Sequence, residues 1–513
     1  MGKRVVTVLV LALATALMAV GTASAAITVG NTNDSGPGSL RQAIIDAPPG
    51  ETIDLPAGSY DLSSGPLEIE RPLSIVGHGS GNTTLRTVSN QPVFVVSAEG
   101  SLALTDLAFR DMTIAAASGV VQGGLIANGA APLSLQRVVI TGVTIDVSGA
   151  AGNNGGVIQG GLILTIGPLA LVETSIARNR ILANGGSERN GGVIQGGLMI
   201  SGDQTTLRNV ALDENTFETK GGQGPSNPGQ NGGVIQAGGI LLSSSKESPS
   251  IIENVSLSAN TGDASGGPGA NGGVVQGLAL LAGVSKGTLG IHNTTIAGNS
   301  ARAFGEPAGI VQATGASVNG SSGGIVSIRG STIYANRAEP AMPGSGPGNV
   351  LALGATSFGN TIVAGGVGLA GRENCLIGTG VSSVGFNLDS SDQCGFHGNG
   401  DRVGADPQLG PLQNNGGLGL TVVPGPAGAA VDQGASFGMT TDQRGVQRPI
   451  DLPTIANSAA PGADGSDIGA VELQPSNALK LGKLKKNRKK GRGVLTVTLP
   501  APSAGVLVLE GTG

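Results

Sequence analysis

Apolar and polar residues alternate in short segments along most of the chain. Ile158 and Leu162 have the same parity in one segment, as do Ile194 and Leu198 in another. The repeated segments lack the 3.6-residue period that marks an amphipathic helix. The pattern therefore predicts many short β-strands.

A motif of eight residues recurs through the middle of the chain. NGGVIQGG begins at Asn154 and Asn190, and close variants begin at Asn231 and Asn271. Fainter copies extend the series, so that a glutamine recurs at Gln122, Gln159, Gln195, Gln236, Gln276 and Gln312. Each of these repeats also contains a second short marker that ends in an asparagine. The marker asparagines are Asn179, Asn215, Asn260, Asn299 and Asn336. Strands repeated in this way stack on their own copies roughly 4.8 Å apart. We therefore predict an all-β parallel solenoid.

Composition agrees with a fold of small aliphatic side chains and tight turns. Of the 513 residues, 91 are glycine, 39% are hydrophobic, 2% are aromatic and 12% are charged. The glycines follow no Gly-X-Y period, which excludes collagen, and the hydrophobic content disfavours disorder. Glycine instead supplies the positive φ angles that turns between strands need.

The repeats resemble a known architecture, the right-handed parallel β-helix of pectate lyases, phage tailspikes and bacterial surface proteins. The paired markers GGVIQ and IxxN are similar to the GGAI and FxxN repeats of polymorphic outer membrane proteins. The resemblance implies a right-handed, pectin-lyase-like β-helix over residues 52–372.

The first 25 residues predict a secretory signal peptide. Two basic residues precede an apolar segment over residues 5–20, and Ala-Ser-Ala at residues 23–25 offers a cleavage site. The alternative is an uncleaved anchor, for which the apolar segment is short. We expect the mature chain to have no transmembrane segment and to be secreted or held at the cell surface.

The segment after the signal peptide predicts an N-terminal cap over residues 26–51. The sequence that begins at Ser35 resembles the CSLREA motif of bacterial β-helix proteins, which implies a short helix over the first coil. Gly38 stands where that family has cysteine, so any thiol role is lost there. Ser39 and Gln42 have capping-box spacing. One face of this helix is expected to carry Leu40, Ile44 and Ala47.

Four ordered motifs between Val384 and Leu473 resemble the choice-of-anchor Q domain of secreted β-helix proteins. They are VGFNLDSSDQCGF, GADPQLGPLQNNGG, TDQRGVQRP and DIGAVEL. The resemblance implies a choice-of-anchor Q-like C-terminal region over residues 373–474. The two cysteines of the chain, Cys375 and Cys394, are expected to form a disulfide in an oxidising compartment.

The C-terminus combines a basic segment with two apolar ones. Residues 475–493 contain eight of the 29 Lys and Arg residues, in a chain of net charge −5. We interpret them as a solvated linker, with contact to an anionic envelope polymer or membrane surface as the alternative. Residues 494–513 predict two strands of a partial β-domain. The acidic body and the absence of nucleic-acid motifs predict no nucleic-acid partner.

Equivalent positions of a β-helix stack into columns, which can be aligned on the marker asparagines. Seven residues before successive markers stand Arg208, Glu253, His292 and Arg329. We interpret this column as an ion-pair ladder, with an acid–base role for Glu253 and His292 as the alternative. The same alignment predicts no two carboxylates in neighbouring coils. Such a pair is what glycoside hydrolysis usually requires.

The repeated amides have structural and functional interpretations. We expect the marker asparagines to form an internal ladder and to occupy left-handed turn positions. The six glutamines lie beside outward-facing valines. Either they form a second amide ladder, or they form a flat face for a polymer or partner.

Other catalytic and metal signals are weak. Gly77-His78-Gly79 resembles the GHG element of polygalacturonases, but the other motifs of that family are absent and a turn explains the segment equally well. The three histidines, His78, His292 and His397, have no metal-ligand spacing. We predict no cofactor and no metal, and a dispersed calcium site remains the alternative.

Three functions remain. We favour a secreted or cell-surface scaffold of the adhesin type that contacts an envelope surface, an extracellular polymer such as a carbohydrate, or a partner, without catalysis. The alternative is a polysaccharide lyase or glycoside hydrolase, with Glu253, His292 and His78 as the candidate catalytic residues. An autotransporter-like passenger is the third. The ligand, the mode of anchoring and the oligomeric state do not follow from the sequence.

Overall fold

The computed structural model describes residues 26–116, 119–222, 230–267, 269–340 and 343–475, together with the backbone of four short strands between Lys480 and Thr498. The predicted signal peptide and most of the predicted partial β-domain lie outside the described residues. Within the described part, strands dominate and the one α-helix is Leu40–Asp46. The all-β prediction is confirmed.

Three parallel sheets run along the molecule. The glutamine sheet has six strands: Val120–Gln122, Val157–Gln159, Val193–Gln195, Val234–Gln236, Val274–Gln276 and Ile310–Gln312. A ten-stranded sheet contains Leu67–Ile69, Phe94–Val96, Ile126–Asn128, Ile163–Thr165, Met199–Ser201, Ile240–Ser244, Leu280–Val284, Ala316–Gly320, Val350–Gly354 and Cys375–Ile377. A 27-stranded sheet wraps round the other faces and contains Ile27–Thr28, Glu51–Leu55, Gly58–Leu62, Pro72–Gly77, Thr83–Thr87, Ser101–Thr105, Ala108–Ala115, Leu133–Gln136, Val139–Asp146, Leu169–Val172, Ser175–Ala177, Arg180–Leu182, Thr205–Ala211, Thr216–Glu218, Ser250–Ser256, Thr261–Asp263, Thr288–His292, Thr295–Ala297, Ser300–Arg302, Ile325–Arg329, Thr332–Tyr334, Arg337–Glu339, Thr356–Gly359, Ile362–Ala364, Ser382–Ser383, Leu388–Asp389 and Arg402–Val403.

Each strand pairs with its equivalent in the next coil, which makes the fold a parallel β-helix. Val157 pairs with Val193 and Val193 with Val234, so the repeat of the sequence is also the register of the sheet. The pairing continues past residue 372, where the sequence places the domain boundary. It includes Cys375–Ile377 and ends at Arg402–Val403.

The period-2 pattern decides which side chains form the core. The central residue of each glutamine-sheet strand, such as Ile158 or Ile235, is buried, while the flanking aliphatic residue and glutamine face outward. A side chain on the inner face stacks on its copies above and below. This stacking buries much aliphatic surface with few aromatic rings.

A ladder of buried asparagines crosses the interior. Each side-chain amide donates to the next Asn Oδ1 at 2.8–3.0 Å, from Asn179 through Asn215, Asn260, Asn299, Asn336 and Asn349 to Asn374. The predicted ladder is confirmed, but the predicted left-handed geometry is wrong. Positive φ occurs instead one residue earlier, for example at Glu214 and Ala259. The marker itself turns inward because its amide satisfies buried backbone carbonyls, such as Leu212 O for Asn260.

Glycine-rich loops stack beside the coils and explain much of the composition. The amide of Gly222 donates to Arg189 O at 2.8 Å, so the backbones of neighbouring loops bond directly. A Cβ atom at Gly222 would lie 1.8 Å from Gly186 O. Larger residues would therefore force these loops apart.

The N-terminal helix covers the first coil. Ser39 Oγ accepts a hydrogen bond from Gln42 N, as the capping-box spacing predicts. Gln42 does not complete the box, because its side chain donates to Asp46 at 2.8 Å. Leu40 and Ile44 are buried against the core.

Residues 405–473, which we call the strap, have little regular structure and fold back along the β-helix. Gln443 bonds Thr295 Oγ1 and the carbonyl of Val255, and the amide of Ala470 donates to Thr332 Oγ1. The strap is therefore packed on the solenoid.

Four short strands are described in the C-terminal segment from Lys480 onwards. Lys480–Leu481 pairs antiparallel with Val497–Thr498, and Lys485–Asn487 pairs antiparallel with Arg492–Val494. Each of these two pairs joins described residues of the basic segment to described residues at or beyond its C-terminal end.

Candidate functional site

The glutamine sheet presents a regular outer surface. Gln122, Gln159, Gln195 and Gln236 are joined by amide hydrogen bonds of 2.6, 2.9 and 3.0 Å, and Gln276 donates to Gln312 at 3.0 Å. A primary amide has two N–H groups and two acceptor positions, and the ladder uses one of each. Each ladder residue therefore keeps hydrogen-bonding capacity for a ligand.

Aliphatic side chains flank the amides on both sides. Val120 and Ile310, at the two ends of the valine column, are 61% and 37% exposed. Beyond the corner of the coil, the ten-stranded sheet places Leu164, Ile200 and Leu241 in register on its outer side. The glutamines of the central coils therefore lie between two rows of aliphatic residues. Their role in binding stays a prediction.

The charged column lies where the marker spacing predicts. Strand pairing aligns Arg208 with Glu253, Glu253 with His292, and His292 with Arg329. Arg208 Nε is 3.5 Å from a Glu253 carboxylate oxygen. Arg329 bonds the carbonyl of Ser357 and lies 5.7 Å from the centre of the Phe437 ring. These contacts agree with an ion-pair ladder that is closed at one end by the strap.

His292 has an altered pKa within this column. Burial lowers the pKa of its imidazole, the Glu253 carboxylate opposes that effect, and Arg329 adds to it. The imidazole is therefore neutral at pH 7 and able to accept a proton.

A shallow groove leads to the charged column. It has a volume of about 310 Å³ and is lined by the stacked small residues Ser74, Ala103, Ser134, Ala170 and Thr206, with prolines along one edge. Arg208 follows Thr206 by two residues on the same outward side of one strand. The groove and the column together form an extended surface on this face.

His78 is remote from the other candidate catalytic residues. Its Nε2 lies 2.8 Å from Asp54 Oδ1, and its side chain is half exposed. Five coil steps separate its strand from the strand of Glu253, which is roughly 24 Å at the spacing of paired strands. His78 therefore does not join Glu253 and His292 in one site.

The prediction that no carboxylates are neighbours is wrong. Glu218 and Asp263 are aligned in adjacent strands, and Lys220 Nζ is 3.4 Å from each carboxylate. Both acids lie three residues after a marker asparagine, Asn215 or Asn260. An alignment at that offset would have found them. The glycine-rich insertion between the two coils makes their sequence spacing irregular.

The motif residues of the strap form a buried charge network. Arg448 Nε bonds Glu472 at 2.8 Å with both side chains fully buried, and Arg444 bonds Asp442 at 2.7 Å. Burial raises the pKa of Asp432 to about 6 and also raises the pKa of Glu472. These buried ion pairs stabilise the strap. The charged residues of TDQRGVQRP and DIGAVEL therefore have a structural role.

The strap also covers an acid of the solenoid. Leu420 N donates to Asp213 Oδ2 at 3.2 Å, while Asp213 Oδ1 accepts from Ser256 Oγ and Ser258 N. Burial raises the pKa of Asp213 to about 6 despite these hydrogen bonds.

The predicted disulfide between Cys375 and Cys394 is confirmed. Among the described residues, no group of three or more His, Cys, Asp or Glu side chains is arranged to hold a metal ion. No helix in the described part of the chain is long and apolar enough to cross a membrane.

No protein-family model and no curated protein sequence matches the chain. Pectate lyase Pel9A is a similar solved structure, with a TM-score of 0.35 and 12% identity over 88% of this chain and 97% of that one. The PL6 family alginate lyase AlyGC has a TM-score of 0.28 and 14% identity, covering 88% of this chain and 60% of the lyase. The A-module of the Azotobacter vinelandii mannuronan C-5 epimerase AlgE4 has a TM-score of 0.27 and 15% identity, covering 70% of this chain and 96% of the module. The β-helix assignment rests on the strand pairing of the chain itself.

Proposed function

We propose that this chain is an exported β-helix protein that binds an extended polymer along its glutamine sheet without catalysis. The observation that carries the proposal is the amide ladder, which repeats one outward-facing glutamine in each of six successive coils. A linear ligand with evenly spaced polar groups can bond many of these amides at once. Weak single contacts then add up along the ligand.

Export and surface location are part of the same proposal. The predicted signal peptide and the disulfide support an oxidising compartment. The likeness to polymorphic outer membrane protein repeats, to the CSLREA motif and to the choice-of-anchor Q domain supports a secreted or cell-surface protein. The basic strands after Lys480 add positive charge that favours an anionic envelope surface.

Retention on insoluble polymers tests the binding proposal. We expect residues 26–513 to be retained by at least one of cellulose, chitin, peptidoglycan and calcium-alginate gel. Retention should fall at least fivefold in the double variant Gln195→Ala, Gln236→Ala. The control is Asn190→Ala, Asn231→Ala, two asparagines elsewhere on the same coils whose side-chain oxygens each accept a backbone N–H from the next coil. Absence of retention on all four polymers, or equal losses in both variants, would refute the proposal.

A second candidate is a lyase or hydrolase of acidic polysaccharides at the charged column. It is favoured by the neutral imidazole of His292 beside Arg329, two coils beyond the last coil of the small-residue groove. Arginine can bind the carboxylate of a uronate while a neutral imidazole accepts a proton. Release of unsaturated uronides or reducing ends from polygalacturonate or alginate, abolished by His292→Ala, would replace the binding proposal with this one.

A further inference from the structure

The aligned carboxylates Glu218 and Asp263 lie in a polar pocket on a different face from the glutamine sheet. The side chains of Glu218, Asp263 and Lys220 are 20%, 24% and 42% exposed, so all three are accessible from solvent. The pocket has a volume of about 350 Å³ and spans three coils. We call it the acid–lysine pocket.

Hydroxyl groups and a second cation complete the lining. Thr216, Thr261 and Ser300 are aligned in successive strands on the outer face. Arg302 follows Asp263 in register and is itself 3.6 Å from Glu339. The pocket therefore contains carboxylate acceptors, ammonium and guanidinium donors, and hydroxyls that can do both.

Phe304 adds an exposed aromatic side chain to the coil that carries Arg302. Phe304 is 46% exposed, and its backbone N–H donates to Ser265 Oγ at 3.1 Å. Ser265 N in turn donates to Asp263 Oδ1 at 3.0 Å. Phe304 is thus in the coil beside the acid pair and two residues after Arg302. An open aromatic ring in such a place offers an apolar surface to the C–H side of a ligand.

We propose that the acid–lysine pocket binds a neutral sugar residue of a glycan. Vicinal sugar hydroxyls donate to the carboxylates of Glu218 and Asp263 and accept from the ammonium group of Lys220. The O–H donor and the oxygen acceptor of a hydroxyl can therefore both form hydrogen bonds in the pocket. The paired carboxylates repel a polyanion, and Lys220 with Arg302 offsets attraction for a polycation. A neutral polyol with an apolar ring face fits this mixture. The pocket shares no residue with the glutamine sheet, so this inference stands or fails separately from the proposed function.

The test is calorimetric or NMR titration of residues 26–513 with neutral hexasaccharides: cellohexaose, laminarihexaose, mannohexaose and maltohexaose. Trigalacturonate is the acidic comparator. We expect at least one neutral hexasaccharide to bind more tightly than trigalacturonate. Asp263→Asn should weaken that binding at least tenfold, since a carboxylate that accepts sugar hydroxyls is lost. Asn keeps an Oδ1 for the Ser265 N–H, so the local turn is retained.

Two further variants separate binding from folding. Thr261→Val removes one exposed hydroxyl from the pocket and should weaken the same ligand severalfold. Glu214→Gln alters an exposed ion pair with Arg178 at 3.1 Å, outside the pocket, and should leave affinity within twofold. The inference is wrong if no neutral hexasaccharide binds at millimolar concentration, if trigalacturonate binds more tightly, or if Asp263→Asn and Thr261→Val bind as the wild type does.

Discussion

The contact between Asp213 and the strap should make strap docking depend on pH. Asp213 is 5% exposed, and its carboxylate receives the amide of Leu420 from the strap. Its pKa rises from 3.8 to about 6 because burial disfavours the charged form. A raised pKa in the folded state contributes stability that is complete below the unfolded pKa and is lost as pH rises through the folded pKa. The docked strap should therefore be more stable at pH 4.5 than at pH 7.5.

The size of the effect follows from the two pKa values. With values of 3.8 and about 6, the contribution of Asp213 changes by about 2 kcal/mol between pH 4.5 and pH 7.5, or roughly 30-fold in an opening equilibrium. Asp432 and Glu472 titrate in the strap as well, so the wild type alone does not isolate this group. The comparison with Asp213→Asn does, because the other groups cancel.

Hydrogen exchange at the Leu420 amide measures the opening directly. We expect the ratio of wild-type to Asp213→Asn protection factors, after correction for intrinsic exchange rates, to fall roughly 30-fold from pH 4.5 to pH 7.5. Glu99→Gln, a change of an exposed carboxyl on the same solenoid, should give a constant ratio. A constant ratio for Asp213→Asn would show that strap opening does not expose this carboxyl, and would refute the reasoning.

Two further predictions concern buried polar groups. Asn260→Ala should lower the free energy of unfolding by about 3 kcal/mol or more, because it removes the acceptor of the buried Asn215 N–H and the donor to Leu212 O, and it breaks the ladder on both sides. Thermal and urea denaturation against the exposed Asn271→Ala would measure the difference, and equal losses would contradict it. The pKa of the His292 imidazole, measured by NMR titration, should lie below 6.5 because burial disfavours the charged ring. The pKa should fall further in Glu253→Gln, since the Glu253 carboxylate raises it. A midpoint at or above 6.5 in the wild type would show that burial does not dominate.

Much of the fold could be predicted because each coil repeats the same pattern of apolar, polar and marker residues. Inward and outward positions alternate with period 2, so Ile158 and Gln159 are assigned opposite faces by sequence alone. The marker asparagines align neighbouring coils, and that alignment correctly placed Glu253 beside His292. The same register aligns Glu218 with Asp263, three residues after their marker asparagines.

The sequence by itself determined the parallel coils, the asparagine ladder, the charged column and the disulfide partners, because these depend on periodicity, on register or on there being two cysteines. Only the tertiary structure decided where the strap lies, since Asp213 and Leu420 are 207 residues apart and no repeat links them. Such a contact depends on how two complete surfaces fit, and the charges of the strap are buried only after it has folded. The marker register aligns Glu218 with Asp263, but only the structure showed that Lys220 lies between their carboxylates and that the three coils leave an accessible pocket there.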